Sequence, residues 1–134
     1  VAGEPCMYNG SHCSSKKSQP LSEATMFATS IDMFNESERE TFDRLSLSAR
    51  FRNFGADCYA YGLLASGHID IVMESDMAKH DFLALVPIIE GSGGCISDWE
   101  GKPLNLLSGR QVLATANPAL HQECLKLIEE KPEI

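Results

Sequence analysis

The stretch from Asp57 to Gly94 constrains the fold most, because its hydrophobic period changes twice over a short span. Asp57 to Ser66 is mostly Ala, Leu, Tyr and Gly, with little polar character on any face, and it stops at Gly67 as helices often do. That pattern predicts an inner helix. His68 to Glu74 then alternates, setting Ile69, Ile71 and Met73 against His68, Asp70, Val72 and Glu74, the period of a half-buried strand. Asp81 to Glu90 is apolar nearly all round and predicts a central buried helix kinked by Pro87, ended by Gly91-Ser92-Gly93-Gly94. Helix, strand and helix in succession place the chain in the α/β class.

The flanks agree with that class. Val1 to Ser18 reads as strand ends and loops around a hairpin turn at Asn9-Gly10, and Glu23 to Thr29 as a buried strand. Asn35 caps a predicted amphipathic helix over Glu36 to Ala49, with Glu36 and Glu38 in its first turn, and Arg50 to Phe54 is extended. Cys95 to Trp99 and Val112 to Ala116 are further strands, and Pro118 opens a helix running to about Glu130. At 134 residues one domain is expected.

Charge narrows the partners. Nineteen acidic against 11 basic side chains give a formal charge of −8, and the one basic pair, Lys16-Lys17, is no phosphate-backbone surface, so nucleic acid is not expected. The longest apolar run, Phe82 to Ile89, contains Pro87 and is far shorter than the roughly 20 residues of a membrane span. Five scattered cysteines without a C-x-x-C pair suit the reduced thiols of a cytoplasmic protein, and Cys6, His12 and Cys13 lack a fourth zinc ligand.

Polar residues between Gly55 and Asp81 are the candidates for chemistry. Asp81 just before an apolar helix suits a helix cap, or a metal ligand. Glu74 at a strand's carboxyl end is a solvated acid, or the partner of Asp81 around a hard cation such as Mg²⁺. Gly55-Ala56-Asp57 is an ordinary strand-to-helix turn, or one whose free N–H groups and acid hold a ligand's hydroxyl or ammonium groups. The glycines at 91, 93 and 94 follow a helix and lack phosphate-loop spacing, so they read as a helix stop. His80, with no nucleophile elbow nearby, reads as a packed neighbour of the site rather than a general base.

These residues resemble a known family. Arg52 to Asp98, with GADCYAYGLLASGHID and DFLALVPIIEGSGG within it, resembles the C-terminal half of the inositol monophosphatase superfamily, its histidinol-phosphatase branch above all. The likeness extends more weakly from Val1 to His121. It implies the C-terminal half of a layered α/β/α/β/α fold, a mixed sheet flanked by helices, and hydrolysis of a small phosphate monoester by Mg²⁺ ions held between carboxylates. By carry-over Asp81 is the catalytic, metal-ligating aspartate and also touches substrate, Gly55, Ala56 and Asp57 contact the substrate's organic portion, and Glu74 binds substrate. His80 stands where many family motifs have an aromatic residue.

The family's first half, with its Glu-Glu region and Asp-Pro-[Ile/Leu]-Asp-Gly-Thr segment, has no counterpart in this sequence. Its only Glu-Glu pair is Glu129-Glu130, on a predicted surface. The resemblance therefore implies that residues 1–134 are a C-terminal domain whose catalytic other half lies upstream of Val1, that the chain alone is inactive, and that the intact enzyme is a homodimer. Acids at Asp57 and Glu74 suit the ammonium and imidazole of histidinol phosphate, which favours a role in histidine biosynthesis. The alternatives are an inositol 1-phosphate or broad sugar-phosphate phosphatase, and a non-catalytic binding or regulatory domain retaining the fold.

Overall fold

The computed structural model describes residues 1–130. The chain begins with a two-stranded ribbon, β1 (Met7–Tyr8) and β2 (Ser11–His12), paired antiparallel. Asn9 and Gly10 turn it with φ of 49° and 80°, the left-handed pair a two-residue hairpin requires. β3 (Thr25–Ala28) leads to α1 (Glu36–Ser48), whose Asn35 and Glu38 cap each other's backbone N–H groups. Then come β4 (Phe51–Phe54), α2 (Tyr59–Ala65), β5 (Ile71–Glu74), α3 (Lys79–Phe82), α4 (Val86–Gly91), β6 (Cys95–Ser97), β7 (Val112–Thr115) and α5 (Pro118–Glu129).

The five-stranded sheet runs β4-β3-β5-β7-β6, with β4, β3 and β5 parallel and β7 antiparallel to both its neighbours. Side chains of β5 show why the sheet needs cover on both faces. Ile71 and Met73 pack with α1 and α5 around Phe42, Leu45, Leu120 and Cys124, while Val72 packs with α2, α3 and α4 around Tyr61, Leu64, Phe82 and Ile89. This is the expected mixed sheet flanked by helices. Phe34 stacks on the fully buried Phe42 at 4.6 Å, and removing a ring of that kind costs roughly 3–5 kcal/mol.

Two expectations need correction. β5 is not half-buried: all four residues are inside, and its flanking acids are accommodated by backbone donors. Asp70 accepts from the Thr25 N–H at 2.9 Å and Glu74 from the Thr29 N–H at 3.1 Å. The helix expected over Asp81 to Glu90 is two helices. Proline at 87 has no N–H and its ring excludes the carbonyl of Leu83, so the chain leaves the helix after Phe82 and restarts with Pro87 in the first turn of α4. Break replaces kink. The glycine run ends α4 as expected, and Gly94 is needed there because a Cβ would lie 2.7 Å from the Thr115 carbonyl oxygen.

Candidate active site

Parallel β3 and β5 end side by side, and a pocket of about 450 Å³ opens beyond their carboxyl ends, where sheets of this kind hold ligands. Thr29 follows β3, Glu74 ends β5, Asp57 and Tyr61 come from the start of α2, and His80, Asp81 and Leu85 from α3 and the turn after it. Glu74, Asp81 and Asp57, three of the acids singled out in the sequence, are thus brought to one pocket; Gly55 and Ala56 stand just outside it.

Glu74 is 2% exposed. The Thr29 N–H engages its Oε2, fixing the carboxylate. Asp81 is not the cap of its helix but stands inside the first turn of α3, where Oδ2 accepts the Ala78 N–H at 2.8 Å. That contact turns Oδ1 outward, with Nε2 of His80 at 3.5 Å. His80 is an exposed side chain rather than a packed one, because α3 turns Phe82 inward and leaves His80 facing out.

The turn before α2 is unusual. Gly55, Ala56 and Asp57 take φ of 99°, 75° and 43°, and positive φ at two successive non-glycine residues costs energy that functional sites commonly store. Gly55 closes onto the carbonyls of Ala28 and Thr29, whereas the N–H groups of Ala56, Asp57 and Cys58 donate to no backbone carbonyl. Neither Asp57 nor Cys58 caps α2 with its side chain. Asp57 thus lines the pocket without capping the helix, and the turn leaves N–H donors unused beside it.

Tyr61 was not anticipated. Its ring is fully buried in the first turn of α2, and its hydroxyl faces the Glu74 carboxylate without forming a hydrogen bond of normal length. Burial pushes the phenol well above its usual pKa, and the negative charges of Glu74 and Asp81 add to that. The signal in the sequence was a tyrosine in an otherwise apolar helix, since a buried phenol normally finds an acceptor. Glu38 was also missed as a support. It receives Ser75 Oγ at 2.8 Å and Gln111 Nε2 at 2.9 Å, joining α1 to the loop after Glu74. Burial raises its pKa, but bonds from Gln111, the Asn35 N–H and Ser75 overcome this and hold the group ionised below its usual range.

A divalent cation would find one suitable ligand here. Asp81 Oδ1 is a hard, half-exposed oxygen, but no group of three or more His, Cys, Asp or Glu among the described residues could hold a metal ion. The donor set fits one side of a cation and does not complete a site.

A mixed sheet between two helical layers, with carboxylates and a strained turn at its parallel strand ends, defines an α/β domain with one wall of a polar ligand cleft. The inositol monophosphatase family model matches residues 1–133, and the chain belongs to that family. It is 37% identical to a chloroplastic bifunctional phosphatase of Arabidopsis thaliana over 95% of this chain and 39% of that protein. A histidinol-phosphatase of Chlorobaculum parvum is 31% identical over 64% of this chain and 32% of its own length. Among solved structures, an inositol monophosphatase from Zymomonas mobilis superposes with a TM-score of 0.92 at 37% identity, covering 96% of this chain and 51% of the other. The chain thus spans about half or less of the length of these relatives.

Proposed function

We propose that residues 1–134 form the C-terminal half of a Mg²⁺-dependent phosphate-monoester hydrolase that converts histidinol phosphate to histidinol. The observation that supports this reading is the convergence of Asp57, Glu74 and Asp81 on one pocket of a chain in this family. Asp81 is one metal ligand, through Oδ1, and the cation supplies polarisation of the phosphoryl group when bound. The remaining ligands come from the part of the relatives' length that this chain does not span. Glu74, held by the Thr29 N–H, accepts from a donor of the substrate, and the strained turn presents Asp57 together with the free N–H groups of Ala56 and Asp57. Tyr61 closes the inner wall of the pocket against water. Two carboxylates facing the organic portion suit a cationic substrate better than a neutral ring.

The similarity to a histidinol-phosphatase supports the substrate, and the similarity to an inositol monophosphatase supports the competing one. A homodimer and a cytoplasmic location belong to the same proposal; the Arabidopsis relative, by contrast, is chloroplastic. The test is phosphate release from histidinol phosphate and from inositol 1-phosphate, with Mg²⁺ and with a chelator, in the full-length protein and its Asp57→Asn variant. Loss of one charged hydrogen bond, about 1.5–3 kcal/mol, predicts a roughly ten- to hundredfold fall in kcat/KM for histidinol phosphate alone. Equal losses for both substrates would favour the inositol-type reading, and activity indifferent to chelation would overturn the metal role.

A further inference from the structure

Away from the pocket, the N-terminal ribbon holds two thiols in register. Met7 pairs with His12, so Cys6 and Cys13 are the next pair along, and the Cys13 N–H bonds to the Cys6 carbonyl at 3.0 Å. Opposed residues that share such a bond have Cα atoms about 5.5 Å apart, inside the window a disulfide needs. Their side chains lie on the same face of the ribbon, with the two sulfurs 3.0 Å apart. The other three cysteines, Cys58, Cys95 and Cys124, are free thiols and form no such pair.

We infer that Cys6 and Cys13 are a redox modification site, closing to a cross-strand disulfide by exchange with a low-molecular-weight disulfide of the glutathione type. Cys13 lines an open groove of about 720 Å³ between the ribbon and α2, and Cys6 does not, so the oxidant reaches Cys13 first. The Cys13 thiolate attacks one sulfur of the oxidant, breaking its S–S bond and releasing one thiol. Cys6 then displaces the second thiol from the mixed disulfide. Two protein S–H bonds and one oxidant S–S bond are lost, one protein S–S bond forms, and two electrons and two protons leave with two molecules of reduced thiol. Burial and the neighbouring Cys13 push Cys6 up to about 11, which disfavours it as the first attacker, and in the second step its closeness to the mixed disulfide offsets this. The closed ring ties the ribbon across its open end, next to the Cys6 N–H bond that anchors it to the Gly91 carbonyl at 2.9 Å.

The full chain is incubated with glutathione disulfide or with dithiothreitol, alkylated and digested with trypsin; the peptide ending at Lys16 carries Cys6 and Cys13 and no other cysteine of residues 1–134. After oxidation that peptide should be two hydrogens lighter and resist alkylation, while Cys58, Cys95 and Cys124 still react, and dithiothreitol should restore it. Cys6→Ser should leave a glutathione adduct on Cys13. Full alkylation of Cys6 and Cys13 while Cys58 takes up glutathione, or a cross-link between Cys13 and Cys58, would overturn the assignment.

Discussion

His121 joins three elements of the sheet's α5 side, and its titration should dominate the loss of stability between neutral and mildly acid pH. The ring is 5% exposed; Ser97 Oγ on β6 lies 2.7 Å from Nε2, and Thr115 Oγ1 on β7 lies 2.9 Å from Nδ1. Ser97 Oγ also reaches the Asp98 carbonyl at 2.7 Å and Thr115 Oγ1 the Asn117 carbonyl at 3.2 Å, so the ring donates to one hydroxyl, whose proton goes to its carbonyl, and accepts from the other. The neutral ring fills both roles. Burial lowers its pKa from 6.5 to about 4. Because the folded value is depressed, the stability it contributes is complete above pH 6.5 and is lost as pH falls from 6.5 towards 4. The full loss is about 3 kcal/mol, of which about 2 kcal/mol is gone by pH 5. Urea unfolding of the wild type and of His121→Gln at pH 7.5 and pH 5 measures this directly. The variant should be less stable at pH 7.5 but should lose about 2 kcal/mol less on acidification. Parallel losses in the two proteins would refute a buried, neutral His121.

Tyr61→Phe removes a buried hydroxyl held only loosely against Glu74, so it should change the urea unfolding free energy by less than about 1 kcal/mol; a larger loss would mean that the phenol donates to Glu74 in the folded chain. Gly94→Ala sets a Cβ against the Thr115 carbonyl oxygen, an atom held in the β5-β7-β6 ladder, and should cost roughly 1–3 kcal/mol of global stability. Gly91→Ala meets the Glu4 carbonyl oxygen at 2.5 Å, but the N-terminal segment can lift away, so proteolysis near Glu4 should quicken while the urea midpoint barely moves.

Most of this fold was legible because its elements carry local signals: the Asn35 cap, the Asn9-Gly10 turn and Pro118 at the start of α5 each act within a few residues. The misjudged places depend on distant chain. Alternation in β5 looks half-exposed until Thr25 and Thr29, far away in sequence, supply the N–H groups that let Asp70 and Glu74 sit inside. The break between α3 and α4 is local in cause, but a proline's effect is graded by whether the surrounding packing supports a kinked helix, and here it supports a turn. Asp57, Glu74 and Asp81, which line one pocket, stand out in the sequence because acids near apolar elements are conspicuous. Tyr61 does not, because a phenol among Leu and Ala looks like core until its hydroxyl is seen to face Glu74.

All four residues of β4 are exposed, with Phe51 at 54% and Phe54 at 44%, and one side of the strand pairs with nothing in the described sheet. An apolar strand with unused backbone donors and acceptors is a template for its own copies. Two arginines flank this hazard: Arg50, just before the strand, lies over the Phe51 ring, and Arg52 within it is tied to Asp43 at 3.2 Å. The two side chains at this margin of the sheet thus sit where the strand's unpaired edge would meet another chain.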